Sequence, residues 1–319
     1  MKGYLGIDVG SVSTNIVLID DEKQVQDTLY IRTQGRPIEA VKEGLNRFFK
    51  LYPNLEVKGV GTTGSGRALT GAMVGADSIK NEITAHAVAA SYIHPEVKTV
   101  LEIGGQDSKI IIVRNGVVID FAMNTVCAAG TGSFLDQQAS RLNIPIEEFG
   151  DLALQAKNPV RIAGRCSVFA ESDMIHKQQM GHATEDIIAG LCGALVRNYL
   201  NNVGKGKDIL EPIIFQGGVA ANVGIREAFG HALDAEIIIP EYFNVMGAIG
   251  AGLLAKEEVN HGSDESSFKG VDMLKMDFEA SSFECGGCPN HCEIINFKQD
   301  DELIARWGAR CPKWETSVS

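Results

Sequence analysis

The sequence predicts an α/β protein of two domain-sized halves followed by a short cysteine-rich tail. Three observations carry that expectation. The chain has 319 residues, long enough for two domains. Apolar strand patterns recur and each runs into a glycine turn: Ile7-Asp8-Val9-Gly10, Leu101-Glu102-Ile103-Gly104-Gly105, and Ile214-Phe215-Gln216-Gly217-Gly218. Cys285, Cys288, Cys292 and Cys311 crowd the last stretch, after a shift to polar composition near Lys256.

Taken in order, residues 4–20 read as a β-hairpin, with Asp8 closing its first strand. Gly10 lets the backbone approach a ligand, and Ser11, Ser13 and Thr14 supply donors behind it. A carboxylate in that position holds Mg²⁺ through water, because Mg²⁺ keeps most of its hydration shell. An ordinary hairpin with a polar turn has the same pattern. A strand follows at 24–32, a helix at 38–50 after Pro37, and a strand at 57–61. The loop 61–67 is glycine-rich but lacks Gly-Lys-Ser/Thr, so it is not a P-loop. A helix at 81–92 sets Glu82 and His86 one turn apart on one face. Metal pairs use that spacing, but a solvated Glu–His contact is the simpler account.

Gly104-Gly105-Gln106-Asp107 repeats the design of the first hairpin: strand, glycine turn, acid, and a second strand at 109–113. The turn within 212–222 follows a buried strand and opens a helix, whose N-terminus suits an anion. Residues 245–252 form a helix studded with small residues. Each interior glycine costs a helix about 1 kcal/mol, so that density implies close packing against another backbone.

Bulk properties narrow the function. The net charge of −12, from 29 basic and 41 acidic side chains, argues against nucleic acid, which needs a basic footprint. No run of about 18 apolar residues is present to span a membrane. The N-terminus has no leader pattern, so a cytoplasmic location is expected. Cysteines there serve as free thiols or metal ligands rather than disulfides.

Two acid-bearing turns, a later Gly-Gly turn and a small-residue helix, in this order, resemble the acetate kinase, sugar kinase, Hsp70 and actin superfamily. That resemblance implies two actin/Hsp70-like (ribonuclease H-like) α/β domains around an ATP cleft. Asn124-Thr125-Val126-Cys127-Ala128-Ala129-Gly130-Thr131-Gly132 and Cys166-Ser167-Val168-Phe169-Ala170-Glu171-Ser172 narrow it. They resemble the two signature segments of the 2-hydroxyacyl-CoA dehydratase activators and the benzoyl-CoA reductase ATPase subunits. Gly104–Lys109 matches the second phosphate loop of that group, and the resemblance covers roughly residues 3–256. The expected organisation is an ATPase of the BadF/BadG/BcrA/BcrD type over 1–255. It has two subdomains, about 1–90 with 240–255 and about 91–239. A linker at 256–282 and a four-cysteine module at 283–315 follow.

The resemblance implies ATP or ADP with Mg²⁺. Asp8 and Asp107 would stand near the metal and the attacking water, with Gln106 beside them. Gly10, Ser11, Ser13, Thr14, Gly104, Gly105 and Lys109 would contact phosphates, and Gly217, Gly218 and Asn222 the adenosine. It also implies a [4Fe–4S] cluster held by Cys127 and Cys166. Such a cluster wants four thiolates, and a two-fold homodimer supplies two plus two. ATP hydrolysis would accompany transfer of one low-potential electron to a partner Fe–S dehydratase or reductase, with a ferredoxin or flavodoxin upstream. Raising an electron by about 0.2 V costs roughly 5 kcal/mol, whereas a helix terminus supplies about 0.3–1 kcal/mol. Hinge closure driven by the nucleotide is therefore the expected source. Two other readings keep the fold: a small-molecule kinase and a non-catalytic ATP-binding scaffold. Neither needs Cys127 or Cys166. Cys192, inside the apolar helix 187–200, reads as core.

In the tail, C-x₂-C-x₃-C followed by Cys311 reads as a metal site, since so small a unit needs a staple. Four sulfurs suit a [4Fe–4S] cluster or zinc alike. His291 is expected to be a bystander. The segment 283–307 reads as a hairpin with cysteines at its base.

Overall fold

The computed structural model describes residues 1–262 and 265–314. Ser263 and Asp264 of the expected linker, and Glu315 at the end of the expected module, lie outside the described residues.

Two compact units divide the chain: Met1–Ala85 together with Gly247–Ser319, and His86–Met246. The first begins with β1 (Lys2–Val9), β2 (Ser13–Ile19) and β3 (Val25–Arg32). Then come α1 (Pro37–Leu51), β4 (Glu56–Thr63), α2 (Arg67–Val74) and β5 (Ser78–Ile79). The strand order is β3-β2-β1-β4-β5. β1 runs antiparallel to β2 and parallel to β4. The core strands are apolar at nearly every position, as strands covered on both faces must be. Helix α3 (Glu82–Ile93) leads into the second unit.

The second unit repeats the plan. β6 (Thr99–Ile103), β7 (Ser108–Arg114) and β8 (Val117–Asn124) form the meander. A 3₁₀ turn (Ala128–Gly130) and helices α4 (Gly132–Leu142), α5 (Ile146–Leu154), α6 (Ser167–Gln179) and α7 (Thr184–Tyr199) follow. A π-helical turn (Leu200–Gly204) ends α7. β9 (Ile213–Gln216), α8 (Val223–Leu233) and β10 (Ile237–Ile238) complete the unit. The order β10-β9-β6-β7-β8 is that of the first sheet read from the other edge. Helices pack Phe134, Leu135, Phe149, Leu191, Leu195 and Phe229 against Leu101, Ile103 and Phe215.

Helix α9 (Met246–His261) returns to the first unit. Its small residues admit strand backbone, as the glycine count implies: a Cβ on Gly6 would stand 1.8 Å from the Ala248 carbonyl oxygen.

The tail is part of the first unit's core. Helix α9 extends past Lys256, and β11 (Phe278–Glu284) begins before Phe283. With β12 (Glu293–Gln299) and β13 (Glu302–Trp307) it makes a three-stranded antiparallel sheet. The expected hairpin is thus β12–β13, and β11 is the strand the sequence reading lacks. Met273, Phe278 and Phe297 share one cluster with Val41, Leu45 and Phe48 of α1. The Phe278 and Phe297 rings stack with centroids 5.6 Å apart. Among the described residues no helix is long and apolar enough to cross a membrane.

Candidate nucleotide and thiol sites

Both sheets end their central strand in the same way. In the first, Asp8 pairs across β1–β2 with Asn15 and across β1–β4 with Thr63. In the second, Glu102 pairs with Lys109 on β7 and Gln216 on β9. Two residues after each acid comes a glycine, Gly10 or Gly104. Gly64 and Gly217, immediately after β4 and β9, have φ +88° and +90°. A Cβ at Gly64 would lie 2.5 Å from Asp8 Oδ1 and 2.4 Å from the Val9 carbonyl oxygen. At Gly217 it would lie 2.7 Å from Glu102 Oε1 and 2.4 Å from the Ile103 carbonyl oxygen. The two turns are therefore one device built twice.

Sequence reading named Asp107 as the second acid and passed over Glu102. The structure buries Glu102 beside Gly217 and joins it to Lys109 Nζ at 2.8 Å, with Asp107 Oδ1 on the same nitrogen at 3.0 Å. Lys109 is 2% exposed, so this ammonium is an internal brace between two carboxylates. The signal for Glu102 was its spacing, acid-x-Gly, which it shares with Asp8. Tyr199 Oη donates to the Lys109 carbonyl at 2.6 Å. Burial, then the nearby Glu102 charge, holds that phenol well above its ordinary range.

The other predicted residues separate into facing and buried groups. Gly10 N–H donates to the Ser13 carbonyl (2.8 Å), Ser11 and Gln106 are exposed, and Gly218 is exposed. Thr14 is buried, its hydroxyl 3.0 Å from that of Thr33. Asn222 caps α8 by accepting from Ile225 N–H at 3.0 Å. Two of the buried polar atoms without a hydrogen-bond partner sit on residues paired with the acids: Thr63 Oγ1, across from Asp8, and Gln216 Oε1, across from Glu102; others, on Thr70, Ser78 and Gln138, lie elsewhere. Buried polar atoms are nearly always bonded, and water or a phosphate oxygen at each turn is a partner that fits each of the two. His86 is not solvated as expected. It is buried, with Nδ1 2.8 Å from Gln216 Nε2. A cavity of about 570 Å³ opens elsewhere in the second unit, lined by Val160, Arg161, Gly190 and Arg197. None of the predicted nucleotide residues lines it.

The thiols lie on the same end of the second sheet as the Gly104 turn, since Asn124 at the end of β8 pairs with Ser108. Cys127 precedes the 3₁₀ turn that leads to α4, and Cys166 is the N-cap of α6. Asn124 accepts from Cys127 N–H at 2.9 Å and donates to its carbonyl at 2.8 Å. The start of α4 is bonded to the glycine turn: Gly132 N–H to the Gly104 carbonyl (2.9 Å), and Ser133 N–H to that of Gly105 (2.8 Å). The helices behind the two cysteines are tied by Glu171 of α6, which meets Arg141 at 2.6 Å and Gln137 at 3.1 Å on α4. Both cysteines are partly exposed. Val126, Val168 and Phe169 beside them are 94%, 66% and 68% exposed. Each partly exposed sulfur thus has exposed apolar neighbours in sequence.

The tail thiols do not gather. Among the described residues no three His, Cys, Asp or Glu side chains stand close enough to share a metal. Cys285 is buried, its sulfur accepting from Trp314 Nε1 at 3.1 Å, while Cys288 and Cys311 are exposed. That indole hydrogen bond, then a backbone one from Gly287, lowers the Cys285 thiol below its ordinary value. The four cysteines expected from spacing to share a metal are thus described with Cys285 turned toward Trp314 and Cys288 and Cys311 facing outward. His291 Nδ1 lies 2.6 Å from Glu284 Oε1.

A sheet plan built twice, each copy ending its central strand in an acid and a glycine turn, is the actin-like fold that the sequence predicts. The chain belongs to the BadF/BadG/BcrA/BcrD ATPase family, whose pattern matches residues 5–255. It is 36% identical over 259 residues to the (R)-2-hydroxyglutaryl-CoA dehydratase activating ATPase of Acidaminococcus fermentans, covering 79% of this chain and 96% of the relative. Two solved structures share the fold. The Acidaminococcus fermentans (R)-2-hydroxyglutaryl-CoA dehydratase component A superposes with TM-score 0.75 at 33% identity, over 81% of this chain and 100% of the other. The activator of the 2-hydroxyisocaproyl-CoA dehydratase from Clostridium difficile, with bound ADPNP, gives 0.74 at 31%, over 81% and 96%.

Proposed function

We propose that this ATPase is an activator that couples ATP hydrolysis to delivery of one low-potential electron to a partner Fe–S dehydratase or reductase. The observation that supports this most is the bonding of the Gly104–Gly105 turn to Gly132 and Ser133, the first residues of the helix that leaves Cys127. A change in the turn on loss of a γ-phosphate reaches the thiol-bearing helix through two backbone hydrogen bonds.

Asp8 in the first unit, and Asp107 with Glu102 in the second, would hold Mg²⁺ through water and orient the attacking water, with Gln106 as a further polar contact. Gly10, Ser11, Ser13, Gly104 and Gly105 present backbone and hydroxyl donors to phosphate oxygens, and Gly217, Gly218 and Asn222 line the adenosine. Lys109 and Thr14, both buried, brace these loops from behind. Cys127 and Cys166 supply two thiolates from each protomer of a homodimer. A [4Fe–4S] group held there would supply one-electron chemistry, taking an electron from a ferredoxin or flavodoxin and passing it to the partner's iron–sulfur centre. ATP and water leave as ADP and phosphate.

Cys127→Ser tests the reading directly. After anaerobic reconstitution the wild-type chain is brown and oxygen-sensitive, with four irons per dimer. The variant loses the iron and the electron transfer while its ATP turnover survives. A colourless, air-stable wild-type protein overturns the proposal.

A further inference from the structure

We infer that Asn198 is a positioning residue for both thiols, its side-chain amide holding the two cysteine segments together and donating an N–H to the Cys127 sulfur. The inference rests on the reading of Cys127 and Cys166 as cluster ligands.

Asn198 stands on α7, otherwise apolar along this face, and is 3% exposed. A buried amide there is costly unless each of its atoms is bonded. Its oxygen accepts from Asn202 Nδ2 at 2.8 Å. The two backbone carbonyls at its other end, which can only accept, fix that end as nitrogen. Nδ2 then faces the Gly164 carbonyl at 2.6 Å and the Arg165 carbonyl at 3.4 Å, the last two residues before Cys166. Cys127 Sγ lies 3.8 Å from this nitrogen and 3.9 Å from Oδ1, so a protonated thiol can donate to the oxygen, whereas a thiolate or a metal-bound sulfur can only accept from the N–H. One side chain thus reaches both cysteine segments, 127 and 164–165, which are distant in sequence.

The surroundings keep it there. A Cβ on Gly130, three residues after Cys127, would come within 2.7 Å of Asn198 Oδ1, so only glycine leaves room for the amide. Directly after Tyr199 the helix widens into the π turn that carries Asn202. Such turns concentrate at functional sites. Tyr199, the next residue, is pinned through its hydroxyl to the Lys109 carbonyl, so the end of α7 has no freedom to swing the amide away.

An N–H aimed at a ligating sulfur favours the more negative, reduced state of an iron–sulfur group, because hydrogen bonds to the sulfurs set its potential. Outer-shell partners of this kind also fix ligand orientation. A purely structural tie would alter loading and stability but not the redox balance of the loaded protein.

The experiment uses the full chain, reconstituted anaerobically, as wild type, Asn198→Leu and Asn198→Ser. Iron per dimer, melting temperature, and the reduced-to-oxidised ratio at a fixed reductant poise by electron paramagnetic resonance are measured. In a variant that loads iron, the ratio falls at least tenfold below wild type, which is about 59 mV for one electron. An unchanged ratio in a fully loaded variant overturns the inference and leaves the cluster reading intact. If neither variant loads iron, the wild type decides alone. With asparagine amides labelled with ¹⁵N, the reduced protein shows a ¹⁵N coupling by electron–nuclear double resonance, and its absence overturns the inference. A wild-type chain that takes up no iron overturns the reading beneath it.

Discussion

The two sheets share a plan and differ in what joins their third and fourth strands. In the first unit, residues 33–55 make that connection with α1 alone. In the second, residues 125–212 make it with four helices. In both, the chain leaving the third strand is tied back to the glycine turn. Thr33 Oγ1 donates to the Gly10 carbonyl at 3.0 Å in the first, and Gly132 and Ser133 bond to Gly104 and Gly105 in the second. The comparison teaches that the segments carrying Cys127 and Cys166 lie in a longer connection that leaves its sheet at a point bonded to the glycine turn, as the shorter connection does in the first unit.

The largest test of that equivalence is on the acids. If Glu102 is the counterpart of Asp8, Asp8→Asn and Glu102→Gln each lower steady-state ATP turnover on the order of 10²-fold. Asp107→Asn then costs less than Glu102→Gln, because Lys109 keeps its 2.8 Å partner. The reverse ranking, with circular dichroism confirming folded variants, breaks the symmetry. Next come the paired glycines. Gly64→Ala and Gly217→Ala both force a Cβ into left-handed backbone against a carbonyl oxygen and the local acid. Each is expected to destabilise its unit by roughly 1–3 kcal/mol by denaturant titration, and a loss in only one shows that the copies are strained differently.

A smaller effect belongs to the second unit alone. Tyr199→Phe leaves the buried Lys109 carbonyl without the hydroxyl, costing about 1–3 kcal/mol. It also lessens the response of the thiol pair to nucleotide, read as the difference in Cys127 and Cys166 alkylation with and without a non-hydrolysable ATP analogue. The smallest effect is on pH. Burial pushes the Cys192 thiol from 9.0 up to about 12. Its neutral form is favoured by the fold, so this contribution is whole below about pH 9 and is lost as pH rises toward 12. At pH 8.5 the native chain leaves Cys192 unlabelled by iodoacetamide, and labelling there shows an opening of the α7 core.

Much of this was legible in the sequence because it is local. Glycine after an apolar strand, an acid two residues before it, and a cysteine among small residues declare themselves within ten positions. Glu102 hid inside an apolar strand, where an isolated acid reads as an interruption, and Asp107 in the loop drew the assignment instead. Asn198 carried no signal at all, since its role depends on residues 127 and 164 meeting at one helix end. The arrangement of the tail thiols was not legible for a related reason. Cysteine spacing measures the chain rather than where thiols point, and Trp314 turns one of them inward. The core contribution of Phe278 and Phe297 also rests on long-range packing that no window of sequence contains.

That packing has a practical consequence. A minimal version of this protein cut after Ala255, where the family pattern ends, would strip Met273, Phe278 and Phe297 from the side of α1. It would also remove the Met276 carbonyl that Lys42 Nζ reaches. Val41, Leu45 and Phe48 would then face solvent as a sticky strip, and the shortened enzyme would precipitate or pair through it before its chemistry could be assayed. Laboratory work on this chain therefore begins from the longer form.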